Sequence, residues 1–196
     1  RSRTMASSQA ARPSISSKNR EILDGIKKKV HAENVGNQAA AQTTTHAEML
    51  NNGVGTVKFQ EKKDWSGSVF GSYPQSIATS RSGKFSHRGV PPQDVEGSMG
   101  GIVYVGPRVQ GGSDDCAWVF AWSVAGDGTP NKVYAECGLA SKYPPGNINW
   151  DKIKTSLTTA SSEIEYSDDT SRSEISASID ASGNTPALAV VFQVNP

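Results

Sequence analysis

The sequence predicts a mostly-β fold, a β-sandwich of about ten short strands with an N-terminal helix and one short helix near 149–157. Three observations carry this. Apolar residues recur at helical spacing ahead of Asn51-Asn52-Gly53 and at every second position after it. From there on, Gly, Pro, Asn and Asp break the chain at short intervals, which is the turn chemistry that joins strands. Only 35% of the 196 residues are hydrophobic while 19 are glycine, a composition of short strands and turns rather than of a helical bundle.

The elements follow in chain order. Residues 1–13 are small, polar and closed by Pro13, and read as a disordered tail; Arg1–Thr4 read as a cloning remnant ahead of a natural start at Met5. Residues 14–50 read as a helical N-terminal segment that packs on the domain. In it Ile15, Ile22, Leu23, Ile26 and Val30 form one stripe, with Ser14 or Ser17 as cap and Gly36 as stop. Its second part, 37–50, is rich in Ala, Gln and Thr and predicts another short helix ending near Leu50. Residues 51–196 form the sandwich, with strands expected at 54–60, 68–71, 76–80, 84–88, 101–106, 116–124, 131–139, 162–167, 173–180 and 187–194. Gly97–Gly101 reads as a flexible approach to one of them. Asn147 or Asn149 can cap the short helix, whose Trp150, Ile153 and Leu157 share a face.

The segment Cys116–Val124 is the most informative. Cys116, Trp118, Phe120, Trp122 and Val124 share one face; Ala117, Val119, Ala121 and Ser123 share the other. A strand apolar on both faces is central, covered on one side by the opposite sheet and on the other by a helix or loop. Trp118, Phe120, Trp122, Val133, Ile153, Val190 and Phe192 are the expected core. Cys137 falls roughly opposite Cys116, and with no secretory signal two buried free thiols are expected.

Several function classes are excluded. Twenty basic residues against 19 acidic ones leave a net charge of +1, and the short run Lys27–Lys29 is no basic stripe, so no nucleic acid is expected as partner. No apolar run is long enough to form a transmembrane segment, though peripheral membrane contact stays open. His31, His46 and His87 lie in different elements without ligand spacing, so no metal is expected. Phosphate-cradling glycine loops and nucleophile elbows are absent, which points away from cofactors and from catalysis. The carboxylates Asp114-Asp115, Glu163/Glu165 and Asp168-Asp169 single out no opposed catalytic pair.

The stretches Gly112-Ser113-Asp114-Asp115-Cys116-Ala117-Trp118, Ala121-Trp122-Ser123, Lys132-Val133-Tyr134 and Asn149-Trp150-Asp151-Lys152-Ile153 resemble the small, 23-kDa class of jasmonate-induced proteins of plants. The resemblance runs from about Asn51 to Val194 and implies a stress- or defence-type protein without a signal peptide, cytoplasmic, with the nucleus also open to it. In layout the chain more distantly resembles the cytolysin/lectin sandwich of actinoporins and fungal fruit-body lectins. That second resemblance implies a phosphocholine or sugar site, with Val95, Ser123 and Trp150 at matching places. Lys154 and Thr155 stand where the lytic members carry tyrosines, which removes most of an aromatic cage for choline.

Together these readings imply a non-catalytic protein that binds a glycan, lipid headgroup or small anionic metabolite through aromatic loops. The alternative is a membrane-active, pore-forming protein that uses the basic N-terminal helix. The candidate ligand residues are Ser123, Tyr143, Trp150, Lys152, Trp65 and Tyr73. They are expected at one end of the sandwich, where the Ala125–Pro130 loop meets the start of the short helix, with Lys142, Lys152 and Lys154 favouring an anionic group.

Overall fold

A computed structural model describes residues 9–12, 14–36, 42–109 and 115–195. Two sheets face each other across the main core. The larger has the order β1 (Gln9–Arg12), β10 (Glu163–Asp168), β11 (Ser173–Ile179), β12 (Ala187–Val194), β2 (Thr43–Asn52), β6 (Ser82–Gly89), β4 (Ser68–Phe70). The smaller has the order β5 (Ser76–Ile77), β3 (Val57–Ser66), β7 (Ser98–Pro107), β8 (Asp115–Val124), β9 (Lys132–Leu139). Helix α1 (Ser17–Glu33) packs on the outside of the larger sheet and α2 (Trp150–Thr158) on the outside of the smaller. Every described pairing is antiparallel except β12 with β2.

The ten expected strands are present, and the seven expected core residues are all buried. β8 is central, between β7 and β9. Its large face, Trp118, Phe120 and Trp122, fills the space between the sheets, and its small face, Ala117, Val119 and Ala121, receives α2. Gly100 and Gly101 on β7 serve the two faces in turn. A Cβ at Gly100 would stand 2.8 Å from the Trp122 ring, and one at Gly101 would stand 2.9 Å from that of Trp150. The glycines are therefore part of a strand that lets two indoles lie against the backbone, not a flexible approach.

Two elements differ from the sequence reading. The helix expected over 37–50 is a strand over 43–52, with 37–41 outside the described residues. β2 sits between β12 and β6 and is covered on both faces, so its side chains show no alternation and the helix-favouring Ala47-Glu48-Met49-Leu50 decides the local reading wrongly. Gln9–Arg12, expected in a disordered tail, pair with β10. The thiols are free and buried, but Cys137 stands opposite Trp118 and Cys116 opposite Leu139, so they are diagonal rather than facing neighbours. Residues 112–114 of the quoted motif and the turn at 111–112 lie outside the described residues.

α1 is capped by Ser16, whose side chain accepts from the Asn19 N–H, and it seats Leu23, Ile26 and Val30 on Ala187, Ala189 and Val191. Its other seat is polar. The buried Asn19 amide donates to Glu165 and Glu174, each at 2.9 Å, and accepts from Gln193 Nε2 at 3.0 Å. Glu163 holds Arg20 through both oxygens. The Glu163/Glu165 pair thus docks a helix. Past Lys58, which pairs with Ser76 of β5, β3 carries Glu61, Lys62 and Lys63, and its register with β7 shifts twice, between Phe59 and Glu61 and between Asp64 and Ser66.

Candidate functional site

Helix α2 and the loops at its two ends cover the outer face of β7, β8 and β9. Asn149 Oδ1 accepts the Lys152 N–H at 3.0 Å and starts the helix; Ile153 and Leu157 then drop onto the small face of β8. Trp150 meets Trp65 edge-on at 6.0 Å, and its Nε1 donates to Glu61 Oε1 at 3.2 Å, while Glu61 Oε2 takes the Gly146 N–H at 2.7 Å. The Gln60 amide donates to the Tyr143 carbonyl at 2.8 Å. The segment from 143 to 150 is thereby fixed to β3.

A cavity of about 260 Å³ opens at the N-terminal end of α2, bordered by Glu136, Tyr143, Asn147, Asn149, Lys152 and Tyr166. Glu136 projects from β9 into this space and is only 6% exposed. Its Oε2 accepts the Tyr134 hydroxyl at 2.6 Å and stands 3.5 Å from Lys152 Nζ. Burial, with the Glu136 charge adding to it, pushes the Tyr166 hydroxyl up to about 12 and the Tyr143 hydroxyl further still, so both are neutral hydroxyls over the physiological range.

The lysines expected to attract an anion here are each matched by a carboxylate. Lys142 Nζ stands 3.5 Å from the buried Asp168, Lys152 Nζ 3.5 Å from Glu136, and Lys154 Nζ 3.2 Å from Glu96. These three pairs leave no excess positive charge, and the Asn149 cap takes up the Lys152 N–H. The cavity is polar and nearly balanced, with hydroxyls, amides and one buried carboxylate facing inward.

Ser123 lies elsewhere. It stands opposite Met99 and Lys132 on β8 and lines a separate cavity of about 300 Å³ with Val95, Ala125, Asp127 and Thr158, at the C-terminal end of α2. Lys132 Nζ donates to the Thr158 carbonyl at 2.5 Å and ties the loop to that end. The nine residues of α2 set the two cavities about 13 Å apart. The single site expected from sequence is therefore two: Tyr143 and Lys152 meet at one end, while Ser123 and Val95 meet at the other with the Ala125–Pro130 loop. Trp65 and Trp150 pack on each other beside the first. Tyr73 is in the main core, with its ring stacked on Phe59 at 6.0 Å and its hydroxyl donated to Asp64 at 3.0 Å. Its neighbouring Pro74 suggested an exposed turn, but the ring points inward and offers no ligand platform. Glu136 and Tyr166 were missed. A carboxylate in mid-strand, two residues after Tyr134, was the available signal.

The architecture is a two-sheet sandwich with a helix on each outer face. The chain has this fold in common with a solved structure described as the lipid binding protein Nakanori, at a TM-score of 0.64 over 89% of this chain and 82% of that one, with 14% identity. No protein-family model matches the sequence. A jasmonate-induced protein homolog of Atriplex canescens is 32% identical over 192 residues, 96% of this chain and 98% of its own length. A 23 kDa jasmonate-induced protein of Hordeum vulgare is 33% identical over 119 residues, 57% of this chain and 55% of its own. The chain belongs to the jasmonate-induced proteins.

Proposed function

We propose that this jasmonate-induced protein is a non-catalytic, stress-type binding protein that takes a sugar, free or as the headgroup of a glycolipid, in the Glu136 cavity. The observation that carries this reading is the buried Glu136 carboxylate at the cavity floor, already fixed by Tyr134 and Lys152. A carboxylate held so can accept hydrogen bonds from a pair of hydroxyls, and the Asn147 and Asn149 amides and the Tyr143 and Tyr166 hydroxyls around it supply donors and acceptors for the rest of a sugar ring. The balanced lysines favour a neutral ligand over a phosphate. The likeness to a lipid-binding structure supports the glycolipid form.

The test is a glycan array and flotation with glycolipid vesicles, followed by Glu136→Gln and Tyr143→Phe. A sugar hit whose affinity falls roughly tenfold or more in Glu136→Gln is the expected result, since the charge is lost and one of two acceptor oxygens becomes an amide donor. A hit unchanged in a folded Glu136→Gln variant overturns it. The Lys27–Lys29 run on α1 supports a second reading, membrane permeabilisation, against which stands the buried Asn19 network that seats this helix. Dye release from vesicles by the full chain decides it.

A further inference from the structure

Close to the Glu136 cavity, β3 breaks its own alternation. Val57 and Phe59 face the main core, so an unbroken strand would turn Glu61 inward as well. Instead the register with β7 shifts between Phe59 and Glu61, which makes room for one extra residue, Gln60. Glu61 then stands opposite Val103, a residue of the outer layer beneath α2. Two consecutive residues, Gln60 and Glu61, thus both reach that outer layer. Past the bulge the alternation resumes in its inverted phase, with Asp64 turned in to the Tyr73 hydroxyl.

Both residues meet the segment that joins β9 to α2. The Gln60 amide donates to the Tyr143 carbonyl at 2.8 Å. Glu61 accepts twice, from the Gly146 N–H at 2.7 Å and from Trp150 Nε1 at 3.2 Å. Those two contacts bracket Asn147, Ile148 and Asn149, all three of which border the cavity. Between the brackets the chain makes short turns of its own, from the Asn147 N–H to the Pro144 carbonyl at 3.0 Å and from the Trp150 N–H to the Ile148 carbonyl at 2.9 Å. Both asparagines are exposed. The facing wall of the cavity, Glu136 and Tyr166, stands on β9 and β10, away from β3.

We propose that Gln60 and Glu61 are positioning residues of this cavity, which touch no ligand and set its affinity by holding Asn147 and Asn149 at a fixed span from Glu136. The proposal rests on the sugar reading given above. A ring bound between two walls needs its donors and acceptors preset on both sides. A wall that is free to wander must be ordered at the moment of binding, and that ordering weakens affinity. Glu61 governs more of the wall than Gln60, because one carboxylate holds both ends of the Asn147–Asn149 stretch.

The experiment is an amide NMR titration of the full chain with the methyl glycosides of glucose, galactose, mannose and N-acetylglucosamine. It is repeated on Glu61→Ala, Glu61→Gln and Gln60→Ala, with Lys63→Ala, an exposed position on the same strand, as control. Saturable shifts at Tyr143, Asn147, Asn149 and Tyr166 are expected with at least one glycoside. Its affinity should fall roughly tenfold in Glu61→Ala, and roughly threefold in Gln60→Ala and in Glu61→Gln, which keeps one acceptor oxygen. Lys63→Ala should change nothing. Amide hydrogen exchange should quicken at 146–149 in Glu61→Ala while β7 and β8 keep their protection. An affinity unchanged in both Glu61→Ala and Gln60→Ala overturns the proposal and leaves the sugar reading standing. So does a loss that Lys63→Ala shares, or one that comes with faster exchange throughout β7 and β8. Absence of shifts at these four residues with about 50 mM of every glycoside overturns the sugar reading, and this proposal with it.

Discussion

Asp64 shows how a single side chain at the rim of the core is set by its donors. Burial alone would raise its carboxyl, but the nearby His87 imidazole and hydrogen bonds from Lys62 and Tyr73 outweigh that and hold it down to about 2. A carboxyl whose folded value lies below its unfolded one stabilises the fold at higher pH and loses that contribution as pH falls from about 4 to about 2, here on the order of 2 kcal/mol. Asp64→Asn should remove this acid-limb dependence, measured as stability against pH by urea unfolding; an unchanged limb would place the effect elsewhere. The thiols follow the same logic with the sign reversed. Burial pushes Cys116 up to about 11 and Cys137 up to about 12, so neither should react with iodoacetamide at pH 8 until the chain unfolds. Prompt labelling of both in the native protein would contradict this. Trp118 is fully buried and donates from Nε1 to the Glu174 carbonyl at 3.0 Å, so Trp118→Ala should cost about 3–5 kcal/mol by thermal or chemical melting. The burial of such residues was legible because β8 writes it in alternation. That of Tyr73 was not, because a turn beside Pro74 looks the same whichever way its ring points.

The two helices are seated differently. α2 sits on a dry floor of small residues, whereas α1 straddles an apolar stripe and a buried cluster of Asn19, Glu165, Glu174 and Gln193. Asn19→Ala would leave two buried carboxylates without their shared amide donor, at a cost of about 2–4 kcal/mol. The loss should show as faster hydrogen exchange along 17–33 before the sheets respond; uniform exchange throughout would mean that α1 is no separate unit. Gly101→Val should disturb the other face, since a Cβ there meets the Trp150 ring at 2.9 Å, and the expected signature is altered Trp fluorescence with a lowered midpoint. α1 and α2 were legible from their apolar stripes, although the cap of α1 is Ser16 and not Ser14 or Ser17. The direction in which α2 runs across its sheet was not, and that direction alone separates Ser123 from Tyr143. Glu136 and Tyr166 belong to strands that meet only in three dimensions, so no local pattern could join them to Tyr143.

On the scale of the whole molecule, the strands could be read and their pairing could not. The sequence places a domain boundary at Asn51, but β2 ends at Asn52 and lies in the interior of the larger sheet, between β12 and β6. A fragment beginning at residue 53 would open that sheet between two strands whose inward faces are apolar. It should therefore fail to give a cooperative melt or a dispersed NMR spectrum. A well-folded fragment 53–196 would restore the sequence-based boundary. The same parallel contact between β2 and β12 carries a meaning in time. Residues 187–194 are synthesised more than a hundred positions after residues 43–52. Once β6 has been made, β2 has it on one side and nothing on the other, a strand destined for the interior with one open edge. The nascent chain must wait with this edge bare, and a chaperone that shelters Thr43–Asn52 during translation would act on the one step the fold cannot hurry.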